Sequence, residues 1–261
     1  MLIHTSTLKF TTPAFLGNAE QSGQWRTPPF KAQLRQWWRV AYAAEDDFEV
    51  DVSQMRLDEG ELFGNAFDHA TMRKSLVRIR LSHWSKGKLT QNLWNNTADP
   101  VLHPEVNHNN HPVAPNLYLG YGPVTGGANP TLKANAAIQA QEAAELLVAV
   151  PVDDAPLVRN ALWLMDRYGT VGGRSRNGWG SYELSPIPPE DWPAMTVPLR
   201  AWTDCLDLVC DWPHAIGKDD NGPLIWKTAP HNNWQALMRT LAIIKIGLRT
   251  QFVFPAGRPP H

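Results

Sequence analysis

Residues 169 to 184 read GTVGGRSRNGWGSYEL, which sets five glycines and two arginines between the end of a predicted helix and the start of a predicted strand. Glycine removes the Cβ and admits positive φ, so another backbone or a ligand can lie against such a loop. Arg174 and Arg176 keep positive charge at the same place, and the free N–H groups of a turn of this kind form an anion-binding concavity. No Gly-Lys-Ser/Thr follows, and the loop runs from helix to strand, so it is neither a P-loop nor a dinucleotide fingerprint. Gly172, Gly173, Arg174, Arg176, Gly178 and Gly180 are therefore candidates for holding a phosphate backbone. Trp179 either stacks on a base or is buried beneath the turn. The plain alternative is a tight turn with solvent-facing arginines.

Working outward, DDAPLVRNALWLMDRYG before the loop predicts a helix with Asp154 as possible cap, Pro156 early and Gly169 at its exit. EAAELLVAVP predicts the strand before that helix, and GWGSYELSPI a strand that ends at prolines. At the other end of the chain, LIHTSTLKF predicts a strand, followed by the Pro/Gly-punctuated loop TTPAFLGN. RTPPFKAQLRQWWRVAYAAED predicts a helix with Leu34, Trp37, Trp38 and Ala41 on its apolar face. Lys31, Arg35 and Arg39 recur every four residues along one stripe of it, placed either to track phosphates or simply to be solvated. SLVRIRLSHW alternates Val77, Ile79 and Leu81 with Arg78 and Arg80, a half-buried strand that shows arginines on its other face.

The order is strand, helix, strand, a polar insertion at about 85–140, strand, helix, strand. This predicts an α+β fold of ferredoxin-like (RRM-like, split βαβ) type over residues 1–187, an antiparallel sheet with helices on one face. After a Pro-rich linker, LRAWTDCLDLVCDW and PLIWKT predict two strands. NNWQALMRTLAIIKIGLR predicts a helix with Trp234, Leu237, Leu241 and either Ile244 or Ile246 inward. Residues 188–261 are expected to form a second, partial ferredoxin-like domain.

Over 261 residues the formal net charge is −1, which argues against a free-standing nucleic-acid binder and leaves local basic patches as the alternative. Two segments, 26–39 and 69–98, carry basic but no acidic residues. No apolar run approaches the roughly 20 residues of a membrane span, and MLIHTSTLKF lacks the regions of a signal peptide, so a cytoplasmic protein is expected. Cys205 and Cys210 make neither a zinc framework nor a disulfide scaffold, and are expected to be reduced thiols. His103, His108 and His111 lie within nine residues without a cysteine or a known ligand spacing, so no metal is expected, and nothing in the chain calls for a cofactor.

GTVGGRSRNGWGSYEL resembles the glycine-rich signature of the RAMP superfamily, the proteins that build type III CRISPR effector complexes. TPAFLGNAEQSGQWRTPPFKAQLRQWWR resembles the opening motif of the first-subunit family of the Cmr (type III-B) complex, as do ELFGNA, SLVRIRL and, more weakly, DWPHAIGKDDNGPLIWK. Two positions depart from that likeness: Ala32 stands where glycine is usual, and Asn177 where a basic residue is common. The resemblance implies a pair of ferredoxin-like domains that bind RNA on the guide 3′-end side of the complex, without being the cutting subunit. The implied partners are crRNA, single-stranded target RNA and other RAMP subunits, in antiviral defence. On this basis the RNA-binding set is Lys31, Arg35, Arg39, Arg78, Arg80, Gly172, Gly173, Arg174, Arg176, Gly178, Trp179 and Gly180. The competing classes are a RAMP endoribonuclease, for which His4, His69, His83 and Asp99 are the available acid–base groups, and a scaffolding module that binds no RNA.

Overall fold

A computed structural model describes residues 1–66, 72–104, 111–126, 129–133, 135–186, 196–205 and 216–251. The first strand, β1 (Leu2–Phe10), alternates as its sequence demands: Leu8 and Phe10 are buried on one face, while Ile3, Thr5 and Thr7 are exposed on the other. Helix α1 (Thr27–Ala44) begins with Pro28 and Pro29 in its first turn, where proline costs no hydrogen bond. Its extended N-cap is Arg26, so Thr27 is the first helical residue and not the cap.

A second helix, α2 (Val52–Phe63), follows, for which the sequence pattern gave no expectation. Asp51 caps it, accepting from the backbone N of Ser53 and of Gln54, and Gly64 ends it at φ +90°. Strand β2 (Arg78–Leu81) precedes the long insertion. That insertion is built of a hairpin, β3 (Val101–His103) with β4 (His111–Val113), a short helix α3 (Pro115–Gly120), and a second hairpin, β5 (Val124–Thr125) with β6 (Thr131–Leu132). Then come β7 (Ala143–Val150), α4 (Ala155–Tyr168) and β8 (Tyr182–Ser185). Asp154 occupies the N-cap of α4 without a side-chain bond, and Gly169 closes the helix through a bond to Met165 O.

The main sheet has the order β2-β7-β1-β8, with every pair antiparallel. Its inner face carries Leu8, Phe10, Leu146, Val148 and Leu184, and α1 and α4 cover it with Phe30, Leu34, Trp38, Val158 and Leu162. The protein is thus a mixed α+β fold built on antiparallel sheets. The outer face shows Thr5, Thr7, Arg78, Arg80 and Glu145.

The C-terminal part holds β9 (Leu199–Ala201), β10 (Ile216–Asp219), β11 (Gly222–Pro223) and α5 (Trp234–Gln251). The three strands form a small sheet in which β9 and β10 run parallel. Two strand predictions need correction here. Residues 202–205 are a 3-10 turn, and PLIWKT contributes only Pro223 to a strand.

Helix α5, expected within a separate second unit, instead packs on α3 and β3. Its Met238, Ala242 and Ile246 share one apolar cluster with Leu89, Val101, Leu119 and Trp179, so the insertion and α5 build a second core together. Of the two inward candidates Ile246 is buried, whereas Ile244 is exposed. Cys210 and most of the Pro-rich linker lie outside the described residues.

Candidate nucleic-acid interface

The loop between α4 and β8 is where the two cores meet. What comes close to its glycines is the protein's own chain. At Gly180, with φ +69°, a Cβ would lie 1.9 Å from Val171 O, and the Gly180 N–H donates to Pro13 O at 2.8 Å. At Gly178, with φ +88°, a Cβ would meet Leu241 Cδ1 of α5 at 2.7 Å. Both need glycine for conformation as well as for space. Gly172 and Gly173 run beside Phe15, whose carbonyl accepts from Gly173 N at 3.0 Å. At Gly172, Gly178 and Gly180 the space that a Cβ would fill is taken by the protein's own chain, so the fold itself calls for glycine there.

With the loop so held, its arginines point outward. Arg174 takes a left-handed conformation, φ +60°, and Ser175–Asn177 form a single 3-10 turn, leaving Arg174 and Arg176 exposed. The Asn177 amide donates from Nδ2 to Leu119 O at 2.7 Å, and its Oδ1 accepts from Lys245 Nζ. Asn177, which stands where a basic residue was expected, thus ties the turn to α3 and α5.

Beside the arginines opens a cleft of about 350 Å³, lined by Phe15, Gly17, Gly23, Gly122, Lys133 and Gly173. Four glycines in that lining expose backbone to whatever enters. The Arg174 guanidinium stands over its rim, with Nη2 3.6 Å from the place a Cβ on Gly122 would take. A mostly apolar cleft with glycine backbone in its wall and a guanidinium group at its rim can admit a base and place a phosphate beside the arginine.

Three other expectations are corrected. Trp179 has no exposed surface: it packs on Phe15, Trp94 and Trp234 with ring centroids 4.9, 6.2 and 5.6 Å away, so it is a core residue and not a base platform. The stripe on α1 faces α2. Lys31 Nζ donates to Phe63 O at 3.0 Å, Arg35 Nε donates to Glu59 Oε1 at 2.8 Å, and Arg39 Nε donates to that same oxygen. Burial, reinforced by the neighbouring Arg35, holds the Lys31 ammonium below its ordinary pKa. With Glu59 only 4% exposed, this stripe is a half-buried charge cluster already engaged with α2.

Arg78 and Arg80 are exposed on edge strand β2, as alternation predicted, but they stand apart from the loop. Arg78 lies opposite Ala149, which pairs with Ile3, whereas the loop joins the sheet near Lys9 and Phe10. Six residue steps along β1 separate Ile3 from Lys9, about 20 Å at the usual rise per residue, and four steps, about 13 Å, separate Lys9 from Thr5, which is level with Arg80.

Among the histidines, His83 and His103 are engaged within the fold. His83 Nε2 lies 3.1 Å from Ala143 O and Nδ1 lies 2.9 Å from Ser85 Oγ, so the ring donates through Nε2 and accepts at Nδ1. His4 faces inward, and burial followed by the charge of Arg159 lowers its pKa. His103 is buried edge-on to Tyr118 and pairs across the hairpin with His111. Asp99 is exposed in the insertion. His69 and His108 lie outside the described residues.

Sequence reasoning overlooked Lys245, Lys133 and Phe15. Only Phe15 had a signal, since it sits in the N-terminal motif.

No curated protein matches the chain. Among solved structures, Cmr1 from Pyrococcus furiosus in its apo form is similar at 15% identity and a TM-score of 0.48, over 100% of this chain and 79% of that one. A chain of a type III-B Cmr-β complex bound to cognate target RNA is 14% identical at a TM-score of 0.37, with coverage of 71% and 59%. A chain of a type IV-B CRISPR complex is 13% identical at a TM-score of 0.40, with coverage of 79% and 99%. The family profile described as RAMPs, RAMP superfamily, matches residues 7–183, from within β1 into β8 and through the whole glycine-rich loop. On the strength of that match, the chain belongs to the RAMP superfamily.

Proposed function

We propose that this chain is a non-catalytic RNA-binding subunit of a type III-B-like CRISPR ribonucleoprotein, acting in the cytoplasm in antiviral defence and holding crRNA or target RNA by its backbone. The observation that carries this reading is the pair Arg174 and Arg176, exposed on a turn whose glycines are locked from within, beside a cleft of about 350 Å³ lined by backbone. Family membership supports it. So does the strand order β2-β7-β1-β8 with α1 and α4 on one face, the arrangement of a ferredoxin-like unit. His83, with both ring nitrogens engaged, and the inward His4 are poorly placed for a cleaving role. The partners in this reading are single-stranded RNA and neighbouring RAMP subunits.

The test is binding of labelled single-stranded RNAs of several sequences by fluorescence anisotropy across a salt series. Arg174→Ala with Arg176→Ala is expected to weaken all of them alike, and to lower the salt slope by about 0.7 for each phosphate that is no longer neutralised. Unchanged affinity, or weakening confined to some sequences, would sink backbone recognition at this loop. Purification of the protein from its host is expected to bring down short repeat-derived RNAs with other RAMP proteins.

A further inference from the structure

Where the glycine-rich turn meets α5, cations from both elements converge. Lys245 and Arg249 are one helical turn apart on α5, so they share a face. Three guanidinium groups, those of Arg174, Arg249 and Arg176, act on Lys245, and burial first, then these charges, depress its pKa. Like charges gathered in this way repel, and the arrangement becomes favourable once an anion lies among them.

The ammonium is also held in place. Lys245 Nζ donates to Asn177 Oδ1, Asn177 is itself fixed to Leu119 O at 2.7 Å, and the Tyr118 ring lies beneath the ammonium with its centroid 6.0 Å away. A cation fixed through two successive hydrogen bonds loses little freedom when it binds. None of α5 falls within the family-matched residues 7–183.

We propose that α5 is the second wall of the RNA site, and that Lys245 joins Arg174 and Arg176 in binding one phosphodiester group of single-stranded RNA. This rests on the RNA-binding reading above. It adds that the site is completed by a helix beyond the family-matched residues, and that Asn177 acts as the bracket that aims the lysine.

The experiment uses the full chain and a fluorescein-labelled oligouridine, with Lys245→Ala, Lys245→Arg, Arg174→Ala/Arg176→Ala and the triple variant, each checked by thermal unfolding. Lys245→Ala is expected to weaken binding about fivefold at moderate salt and to lower the salt slope by less than the roughly 0.7 of a whole phosphate, because the arginines still hold that group, while Lys245→Arg retains most of the affinity. Adding Lys245→Ala to the arginine double variant should cost less than it does alone, because one phosphate is shared. If the arginine variant loses affinity and a folded Lys245→Ala does not, the second wall is wrong and the RNA reading stands. If neither loses affinity, both fall. A Lys245→Ala protein that keeps RNA but loses a co-purifying RAMP subunit would instead assign the α5 cations to a protein partner, and would overturn the proposal. Should Lys245→Ala unfold, Lys245→Gln gives the same readout with the hydrogen bond to Asn177 kept.

Discussion

Arg35 Nε donates to Glu59 Oε1 at 2.8 Å, and Arg39, one turn further along α1, reaches the same oxygen. This shared acceptor turns a stripe that looked like a nucleic-acid track into the clamp that holds α2 on α1. A buried carboxylate that loses its charge leaves two guanidinium groups unneutralised. Glu59→Gln should therefore destabilise the fold by about 1–3 kcal/mol, below the roughly 3–5 kcal/mol of a fully buried broken pair because Arg35 remains partly exposed. Urea unfolding checks the magnitude. Arg35→Ala should leave RNA affinity unchanged, and a marked drop would restore the stripe as a binding surface.

Trp179 joins the insertion to α5, and its truncation would leave a void that three aromatic neighbours cannot fill. Trp179→Ala should cost about 3–5 kcal/mol, the range for removing a buried aromatic ring, whereas Trp179→Phe should cost less. The sign to look for is a lowered denaturation midpoint together with unaltered RNA affinity of whatever fraction stays folded.

Two glycines should respond in opposite directions. At Gly180 an added methyl group has nowhere to go, since Val171 O lies 1.9 Å away, and Gly180→Ala is expected to unfold the loop or the protein. At Gly247, within α5, nothing lies within 4 Å of the added carbon, and Gly247→Ala should raise stability by about 0.5–1 kcal/mol through helix propensity. Differential scanning calorimetry of the pair separates conformational need from a mere gap.

If Lys245 binds RNA as proposed, its lowered pKa gives that binding a pH dependence of definite sign. Binding needs the charged ammonium, so affinity should fall as pH rises through that depressed value, below the ordinary lysine pKa of about 10.4. Lys245→Arg keeps its charge throughout and should flatten the profile. Stability moves the other way. Between the lowered folded value and the ordinary unfolded one the unfolded chain binds more protons, so this group's contribution to stability rises with pH across that window. Anisotropy and thermal unfolding, each followed from neutral to alkaline pH, check the two signs separately.

The main sheet and its two helices were legible because their signals are local. Leu8 and Phe10 alternate with Thr7 and Lys9, and Leu34 and Trp38 fall on one helical face, whatever the rest of the chain does. Helix α2 was not, because acids interrupt its few buried apolar residues, Met55, Leu62 and Phe63, Leu57 is exposed, and Glu59 is itself turned inward. The reading of the charges failed for a related reason. Four-residue spacing puts Lys31, Arg35 and Arg39 on one face, but an acid twenty or more positions away decides whether that face meets solvent. Trp179 shows the same limit, since its burial is completed by Trp94 and Trp234, each far from it along the chain. Arg174 and Arg176 stand out in the sequence because glycines flank them, while Lys245, their proposed companion, sits in an ordinary amphipathic helix with no local mark.

Leu241, which closes the space over Gly178, comes 63 positions later in the chain, and Lys245 follows it by a further four. On a ribosome the glycine-rich turn therefore emerges well before the helix that gives it its shape. Until α5 has been made and has docked, the turn lacks both Leu241 over Gly178 and the anchor at Asn177. The final shape of this turn therefore depends on a helix made more than fifty residues later, and is complete only once that helix has docked.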